Sequence, residues 1–386
     1  MPHTSIKWLP AVVVPAVIAV AVIAVPLQAG AAVDLPDKTP KQVLLMVSDS
    51  TVTSFSGTIE QSSDMGLPDI DLGGAMSPAS EAPAGSGTDA SAAAVTAALE
   101  LLTGSHTARV YADGPGNVRV QILDRLAERD LISNGTDAWY YESQTNAVTH
   151  VAIPAQDDAT ADDKSAALRQ FAPGDLSSPS EVADRFLGAL DPSTTVSVGS
   201  DAKVAGRTVY DLILTPASTE TLVHSVSIAV DSETGVPLRV TVRATAQNDP
   251  AFEVGFTKVE FSTPSADLFT FTPPANATVT EQDLPAGHDA EHNTGEHGTT
   301  SEDRTAPGPA EGPVITGSGW DAVVELPAES VPKDLSASPL FTQLTTSVTG
   351  GRALSTSLLN VLLTTDGRVL AGSVPIERLQ AVATAP

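Results

Sequence analysis

The feature that most constrains the fold is a row of alternating strands between Arg207 and Pro274. In RTVYDLILTP, SVSIAVDSETGVPLRVTVRA and AFEVGFTKVEFSTP, apolar residues recur at every second position, which is the period of a sheet with one dry face. The residues from Asp231 to Gly235 have the composition of a hairpin loop between two of these strands. A long antiparallel sheet with one apolar face must be covered, so another part of the chain has to supply the cover.

The dry phase of this row is the candidate surface for a hydrophobic ligand. The phase slips at Thr257-Lys258, as a β-bulge would cause. Such a face either closes over helices as an ordinary core or leaves a groove for an alkyl chain, in which each buried methylene contributes about 0.8 kcal/mol. The candidate ligand-binding residues are Tyr210, Leu212, Leu214, Val226, Ile228, Leu238, Val240, Phe252 and Phe256, together with Trp139 from an earlier strand.

Two helices are candidates for the cover, after a first helix predicted within Asp37–Ser50. One is the Ala-rich segment Ser91–Thr103, which follows a Gly/Pro/Ser-rich insertion at 64–90. The other is Ser178–Leu190, which opens with the Ser-Pro-Ser-Glu spacing of a capping box. Each helix is either core packing or a movable lid, and the sequence leaves both open. The lid candidates are Val95, Leu99, Leu102, Val182, Phe186 and Leu190.

The N-terminus and the overall charge indicate an exported protein. Lys7 precedes an apolar run, and Ala29-Gly30-Ala31 offers a small-x-small cleavage site, so residues 1–32 are predicted to be a signal peptide or an N-terminal anchor. The run is interrupted by prolines and is short for a stable span, which needs about 20 residues. A net charge of −27 disfavours nucleic acid as a partner, and the absence of cysteine excludes disulfides and thiolate chemistry.

The order of elements indicates an antiparallel α+β fold rather than a parallel α/β one. A helix, about five strands, a helix and about six further strands precede a change of composition. Residues 283–318 are predicted to be an acidic linker rich in His, Gly and Pro. Residues 319–384 are predicted to form a small C-terminal α/β module, with a hairpin at Thr365-Asp366-Gly367 and a closing helix in IERLQAVA.

No catalytic motif is found in the sequence. Phosphate loops, nucleophile elbows, dinucleotide fingerprints and zinc-protease pairs are all missing, and His106, His150 and His224 lie singly on predicted strands. The segment HDAEHNTGEH has spacings that bind Zn²⁺ or Ni²⁺ loosely, but binding there would have to offset the cost of ordering a flexible segment. We therefore predict no catalytic residues, no metal site and no cofactor.

Several segments together resemble the LolA-like lipoprotein carriers and the related N-terminal domain of RseB (MucB) regulators, in a layout typical of actinobacteria. The segments are SFSGTIEQ, the Gly66-Leu67-Pro68 loop, VAGRTVYDLILTP, IAVDSETGVPLRV, VGFTKVEFSTP and FTFTPPANATV. The resemblance implies that residues 33–282 form an incomplete antiparallel β-barrel of about 10–11 strands, with helices covering a concave face that receives acyl chains. It also implies a strand arginine that links barrel and lid, for which Arg109, Arg119 and Arg207 are candidates.

Two functional hypotheses follow, beside the plain one of a structural envelope domain with a filled core. The first is an exported, non-catalytic carrier whose partners are the acyl chains of a lipid or lipoprotein, with the protein held in the cell envelope. The second is an RseB-like regulator that binds the extracytoplasmic segment of a membrane-anchored partner protein. The terminal module and its linker would supply the partner surface in that second case.

Overall fold

The structure is a computed structural model that describes residues 34–66, 104–114, 116–123, 128–153, 178–190, 192–282, 313–328 and 343–385. The predicted leader, the predicted helix at 91–103 with Val95, Leu99 and Leu102, most of the insertion at 64–90 and the HDAEHNTGEH segment lie outside these ranges.

Three α-helices lie within the described ranges: α1 (Pro40–Ser48), α2 (Pro179–Gly188) and α3 (Ile376–Ala383). Helices α1 and α2 both begin with a capping box and a proline in the first turn, as the sequence predicts for α2. Helix α2 ends at Gly188, so Leu190 lies beyond the helix in which it was predicted. Within the described residues, no helix has both the length and the apolar composition that a membrane crossing requires.

The larger sheet has 13 strands and forms most of the fold. Its strands are β1 (Ser54–Ser63), β2 (Gly104–Asp113), β3 (Asn117–Leu123), β4 (Glu128–Asn134), β5 (Asp137–Glu142), β6 (Ala147–Ala152), β7 (Thr194–Val198), β8 (Ala202–Val204), β9 (Arg207–Pro216), β10 (Val223–Asp231), β11 (Pro237–Ala244), β12 (Pro250–Glu260) and β13 (Thr278–Glu281).

The strand order is β13-β6-β5-β4-β3-β2-β1-β12-β11-β10-β9-β7, with β8 paired to β9. Every pair is antiparallel except β13 with β6, and the sheet does not close into a barrel. The predicted open antiparallel sheet is therefore confirmed, in a fold whose described residues are mostly β-strand with three helices. The strand count exceeds the predicted 10–11 because the three-residue β8 and the four-residue β13 add short pairings that have little periodicity of their own.

The dry face of β9–β12 and β1 is organised in layers that run across the strands. The central layer joins Leu212, Ile228, Val240, Val254 and Gln61 through consecutive cross-strand pairs. The four apolar members have no exposed surface, and Gln61 is buried as well. This layer is the middle of the domain's core.

A second row lies two residues further along each strand, towards one end of the sheet. It joins Leu214, Val226, Val242, Phe252 and Ser63. At the opposite end, Tyr210 pairs with Val230, and Phe256 pairs with Ile59 after the slip in register between β1 and β12. The slip predicted at Thr257-Lys258 is thus confirmed, because Thr58 pairs with Lys258 whereas Ile59 pairs with Phe256.

The chain that follows β12 crosses the opposite face of β3–β6. A short 3₁₀ turn (Ala266–Phe269) packs against β3 and β4, and Phe269 is buried there. The Arg119 guanidinium donates to the Leu268 carbonyl at 3.2 Å while it pairs with Asp130 at 2.5 Å. This aromatic-proline segment therefore covers the outer face of the first half of the sheet.

The hairpin loop between β10 and β11 is held by an ion pair and by close contact with α1. Asp231 is 1 % exposed, and its carboxylate accepts from Arg207 at 2.5 Å and from the Thr234 backbone at 2.8 Å. Gly235 has φ +75°, and a Cβ at this position would lie 2.0 Å from the Met46 carbonyl oxygen. Only glycine allows this backbone conformation and this approach to α1.

The smaller sheet has six strands in the order β14-β15-β19-β18-β17-β16. Its strands are β14 (Val314–Thr316), β15 (Val323–Leu326), β16 (Thr346–Val348), β17 (Gly351–Ser355), β18 (Asn360–Thr364) and β19 (Val369–Gly372). Helix α3 packs on β18 and β19 over a core that contains Leu362, Leu370 and Leu379. The predicted hairpin and closing helix are present, and β14 lies in the stretch that was predicted to be linker.

Candidate ligand-binding cavities

Helix α2 packs against β11 and β12, and a cavity lies on each of two sides of the helix. The helix presents Val182 and Ala183 as buried residues, so its middle is anchored on the sheet. We call the cavity beside Val182, Arg185 and Phe186 the first cavity and the one beside Ser180 and Asp184 the second cavity.

The first cavity has a volume of about 410 Å³ and a mainly apolar lining. It opens at the end layer of the sheet, at Val242 and Phe252, and α2 closes one side with Phe186. The C-terminal module closes the other side. The full lining is Gln61, Met65, Val182, Arg185, Phe186, Val223, Val242, Phe252, Gly319, Trp320, Ala322, Leu358 and Ser373.

Trp320 joins the module to the wall of the first cavity. It lies on a short 3₁₀ turn (Gly319–Asp321), its ring stacks on Phe186 with centroids 6.2 Å apart, and its Nε1 donates to Thr194 Oγ1 at 2.8 Å. Because one face contacts α2 and the polar edge is hydrogen-bonded, the indole is held in a fixed orientation.

Backbone hydrogen bonds tie the module to the larger sheet on both sides of this tryptophan. The Leu222 amide donates to the Ser373 carbonyl at 2.8 Å, and the Thr221 hydroxyl donates to the same oxygen at 2.9 Å. The Ser357 amide donates to the Met65 carbonyl at 2.9 Å. The module thus contributes part of the wall of the first cavity.

The second cavity has a volume of about 350 Å³ and a mixed lining. Aromatic rings and aliphatic side chains form most of its wall, and hydroxyl groups and one carboxyl group lie on the α2 side. The lining is Val47, Ser50, Val52, Phe55, Ser178, Ser180, Asp184, Val236, Pro237, Phe256 and Phe261.

The structure divides the predicted ligand-binding residues between core and cavity. Phe252 lines the first cavity, as do the lid candidates Val182 and Phe186, and Phe256 lines the second. The remaining residues of the dry phase are buried and line neither cavity; they are Tyr210, Leu212, Leu214, Val226, Ile228, Leu238 and Val240.

Trp139 lies on the opposite face of the sheet from these residues, as the register of the strand pairs shows. The dry face continues from Gln61 across β2 and β3 to Tyr140, so its neighbour Trp139 points to the opposite face. There its ring stacks on His150 with centroids 5.3 Å apart and contacts Phe271. Placing Trp139 among the lining residues was therefore wrong, because it packs under the segment that covers the outer face.

All three candidate strand arginines also lie on the outer face, where Arg109 is exposed and pairs with Thr58 in the register of β1 and β2. Arg207 is paired with Asp231 and Glu233, and Arg119 is paired with Asp130. Arg185 of α2 is the arginine that lines the first cavity, and it is not among the residues predicted from the sequence; Trp320, Leu358 and Met65 are not among them either. Trp320 and Leu358 belong to the module, whose docking no local pattern reports, whereas Arg185 lies on the predicted helix α2 beside Val182 and Phe186.

Residues 87–281 match the family described as "Predicted periplasmic protein (DUF2092)". The chain belongs to this family. The family description supports an extracytoplasmic location. No curated protein matches the chain.

Among solved structures, the chain is similar to MucB in "the complex structure of Pseudomonas aeruginosa MucA/MucB", with 14 % identity, a TM-score of 0.39 and coverage of 89 % of this chain and 96 % of that one. A LolA superfamily protein from Nitrosomonas europaea is 10 % identical, with a TM-score of 0.21 and coverage of 61 % and 99 %. These neighbours are of the kinds that the sequence resembles. Their TM-scores are too low to carry an argument about function.

Proposed function

We propose that this member of the DUF2092 family is an exported, non-catalytic binding protein that shields an acyl chain of a lipid or lipoprotein in the first cavity. The observation that carries the proposal is the cavity itself, a mainly apolar space of about 410 Å³ walled by the sheet, by α2 and by the module. Enclosed apolar clefts with a few polar groups are the usual form of a small-molecule site.

The lining suggests how such a chain would be held. Phe252, Phe186 and Trp320 offer large apolar surfaces, and each methylene buried against them contributes about 0.8 kcal/mol. Arg185 is exposed at the same cavity, where its guanidinium would face the carboxylate or phosphate at the polar end of the ligand. In this proposal α2 covers the concave side of the open sheet. The acyl chain of the ligand enters and leaves the first cavity when α2 moves.

Native mass spectrometry of the full chain with and without added palmitate tests the proposal. Wild-type protein should carry one acyl ligand, and Phe252→Asp should lose it because a carboxylate would be buried against the chain. The matched control is Ile315→Asp on β14, where the same charge replaces a side chain that is 66 % exposed. The proposal fails if folded Phe252→Asp protein retains the ligand as well as the control does.

A second candidate function is recognition of a protein segment by the module. Strand β14 is an edge strand, and Val314 and Ile315 are 55 % and 66 % exposed on it. An open edge with exposed apolar side chains is a surface to which an extended peptide adds as a further strand. The two variants separate the functions, because this candidate predicts that Ile315→Asp loses a membrane-protein partner in co-purification while Phe252→Asp retains it.

A further inference from the structure

The second cavity combines aromatic rings with a carboxyl group. Phe55 and Phe256 meet edge to face with their centroids 5.9 Å apart, and Phe261 completes the aromatic part of the wall. Asp184 lies on the α2 side of this cavity, which Ser178 and Ser180 also line. Phenyl rings and a carboxylate are both attractive to an organic cation, the rings through their faces and the carboxylate through its charge.

Asp184 is not neutralised by the groups around it. It forms no hydrogen bond or ion pair within the described part of the chain, and the charge that acts on it is the carboxylate of Glu181. Burial, and then this neighbouring charge, raise the pKa of Asp184. A cation placed beside Asp184 would relieve both effects.

The guanidinium that lies over one ring of this wall is already paired. The Arg207 guanidinium lies 4.9 Å from the centroid of the Phe261 ring, and it donates to Asp231 and Glu233. Arg207 is therefore held on its own carboxylates and does not supply the missing partner of Asp184. The two cavities also differ in charge, because the exposed cation Arg185 lines the first and the carboxylate of Asp184 lines the second.

We propose that the second cavity is a binding site for an organic cation with an apolar body, of the alkylammonium or quaternary ammonium class. The apolar body would lie against Phe55, Phe256 and Phe261, and the ammonium group would face Asp184. The site does not depend on the proposed acyl site, because the two cavities share no lining residue.

Isothermal titration calorimetry of the full chain at pH 7 with two probes of equal chain length tests this site. Hexyltrimethylammonium should bind at least about tenfold more tightly than hexyl sulfate. Tetramethylammonium, which lacks the apolar hexyl chain, should bind more weakly than hexyltrimethylammonium. Asp184→Asn should reduce the preference for the cation to less than about threefold. The side chain is exposed, so the variant should fold, and its melting temperature should match that of the wild type.

Two controls assign the effect to the second cavity. Glu377→Gln on α3 removes one exposed negative charge elsewhere, so it should retain the full preference if the net charge of −27 is not the cause. Phe252→Asp alters only the first cavity and should retain the preference too, even if the acyl proposal fails. Equal affinity for the two probes, or an unchanged preference in Asp184→Asn, would overturn the inference.

Two further probes identify the source of the cation. Binding of free choline would assign a free organic cation, whereas binding of dihexanoylphosphatidylcholine without choline would assign a lipid headgroup. Either result supports the proposed chemistry. If neither of these probes binds and hexyltrimethylammonium does not bind either, the proposal is contradicted.

Discussion

The central and end layers of the same sheet face behave differently, although their residues have the same apolar character. Leu212, Ile228 and Val240 in the central layer are fully buried, whereas the face opens into cavities at Phe252 towards one end and at Phe256 towards the other. Helix α2 has 10 residues and so spans roughly 15 Å, while the strands beneath it have 8–11 residues and span roughly 26–37 Å. Helix α2 is shorter than these strands and contacts the sheet between the two cavities, with Val182 and Phe186 beside the first and Ser180 and Asp184 beside the second.

The largest expected effect tests whether the central layer is solid core. Leu212→Ala should lower the free energy of unfolding by about 3–5 kcal/mol, because it removes fully buried methyl groups and leaves a void. Phe252→Leu, at the cavity wall, should cost less than about 1.5 kcal/mol. Urea denaturation of both variants measures the difference. If the two costs were equal, the distinction between core and cavity wall would be wrong.

The next effect concerns the ion pair that holds one end of the face. Asp231→Ala should lower the free energy of unfolding at pH 7 by about 1.5–3 kcal/mol, because it removes the buried carboxylate that accepts hydrogen bonds from Arg207 and from the Thr234 backbone. Burial alone would raise the pKa of Asp231, but hydrogen bonds from Arg207 and Thr234 outweigh burial and hold the pKa below its usual value.

The contribution of this carboxylate therefore has a defined dependence on pH. It is complete above the unfolded pKa of about 4 and is lost as the pH falls through the lower folded pKa. The gap between wild type and Asp231→Ala should narrow as urea denaturation is repeated from about pH 5 down to about pH 2. If the difference in unfolding free energy between wild type and Asp231→Ala stays constant with pH, the ionised pair is not its cause. The control Glu60→Ala, on the exposed side of β1, should have the same unfolding free energy as the wild type.

A smaller effect is expected where the hairpin loop meets α1, beside the second cavity. Gly235→Ala should cost about 1–3 kcal/mol, because alanine resists φ +75° and its methyl group would collide with the Met46 carbonyl. Gly206→Ala is a matched control, since Gly206 also has positive φ but a Cβ there meets nothing within 4 Å. Thermal unfolding of the pair isolates the collision, and equal melting temperatures would contradict it.

The smallest effect lies at the far edge of the sheet, away from both layers. His150 contacts Glu281 at 2.6 Å and Asp137 at 2.9 Å, and so links β13 to β5. Burial alone would lower the pKa of His150, but the two carboxylates outweigh burial and raise it. Its contribution, about 0.2–1 kcal/mol, is therefore complete below about pH 6.5 and is lost as the pH rises through the folded pKa.

Amide hydrogen exchange in β13 measures this effect. After correction for the intrinsic rate, exchange at Thr278–Glu281 should accelerate between about pH 6 and pH 8 in the wild type. His150→Gln should remove the acceleration, and an unchanged profile would show that the edge is held by its backbone pairing alone.

The sequence predicts the sheet face and the helix start well because both are local. Alternation identifies the dry phase from Tyr210 to Phe256, and the Ser178 capping box identifies α2 with Val182 and Phe186 on its buried side. The position of a residue along the face is not local. Whether Leu212 is core or Phe252 is wall depends on the length and placement of α2, which the period of β9–β12 does not contain.

The remaining parts depend on contacts between distant segments. The face of Trp139 follows only from a register carried through several strands, and the ring is then covered by Phe271. Trp320 enters the first cavity because the module docks on β10 and on the end of β1, a tertiary contact with no sequence signature. The sequence pattern of the module therefore does not indicate that the module lines the first cavity.

A crystal structure of the full chain with a terminally brominated palmitate tests the central claim most directly. The account predicts one anomalous bromine peak within the first cavity, between Phe252 and Trp320, with the central layer unchanged. An acyl chain that inserts between α2 and the Leu212–Ile228–Val240 layer, or binds only outside the first cavity, would contradict it.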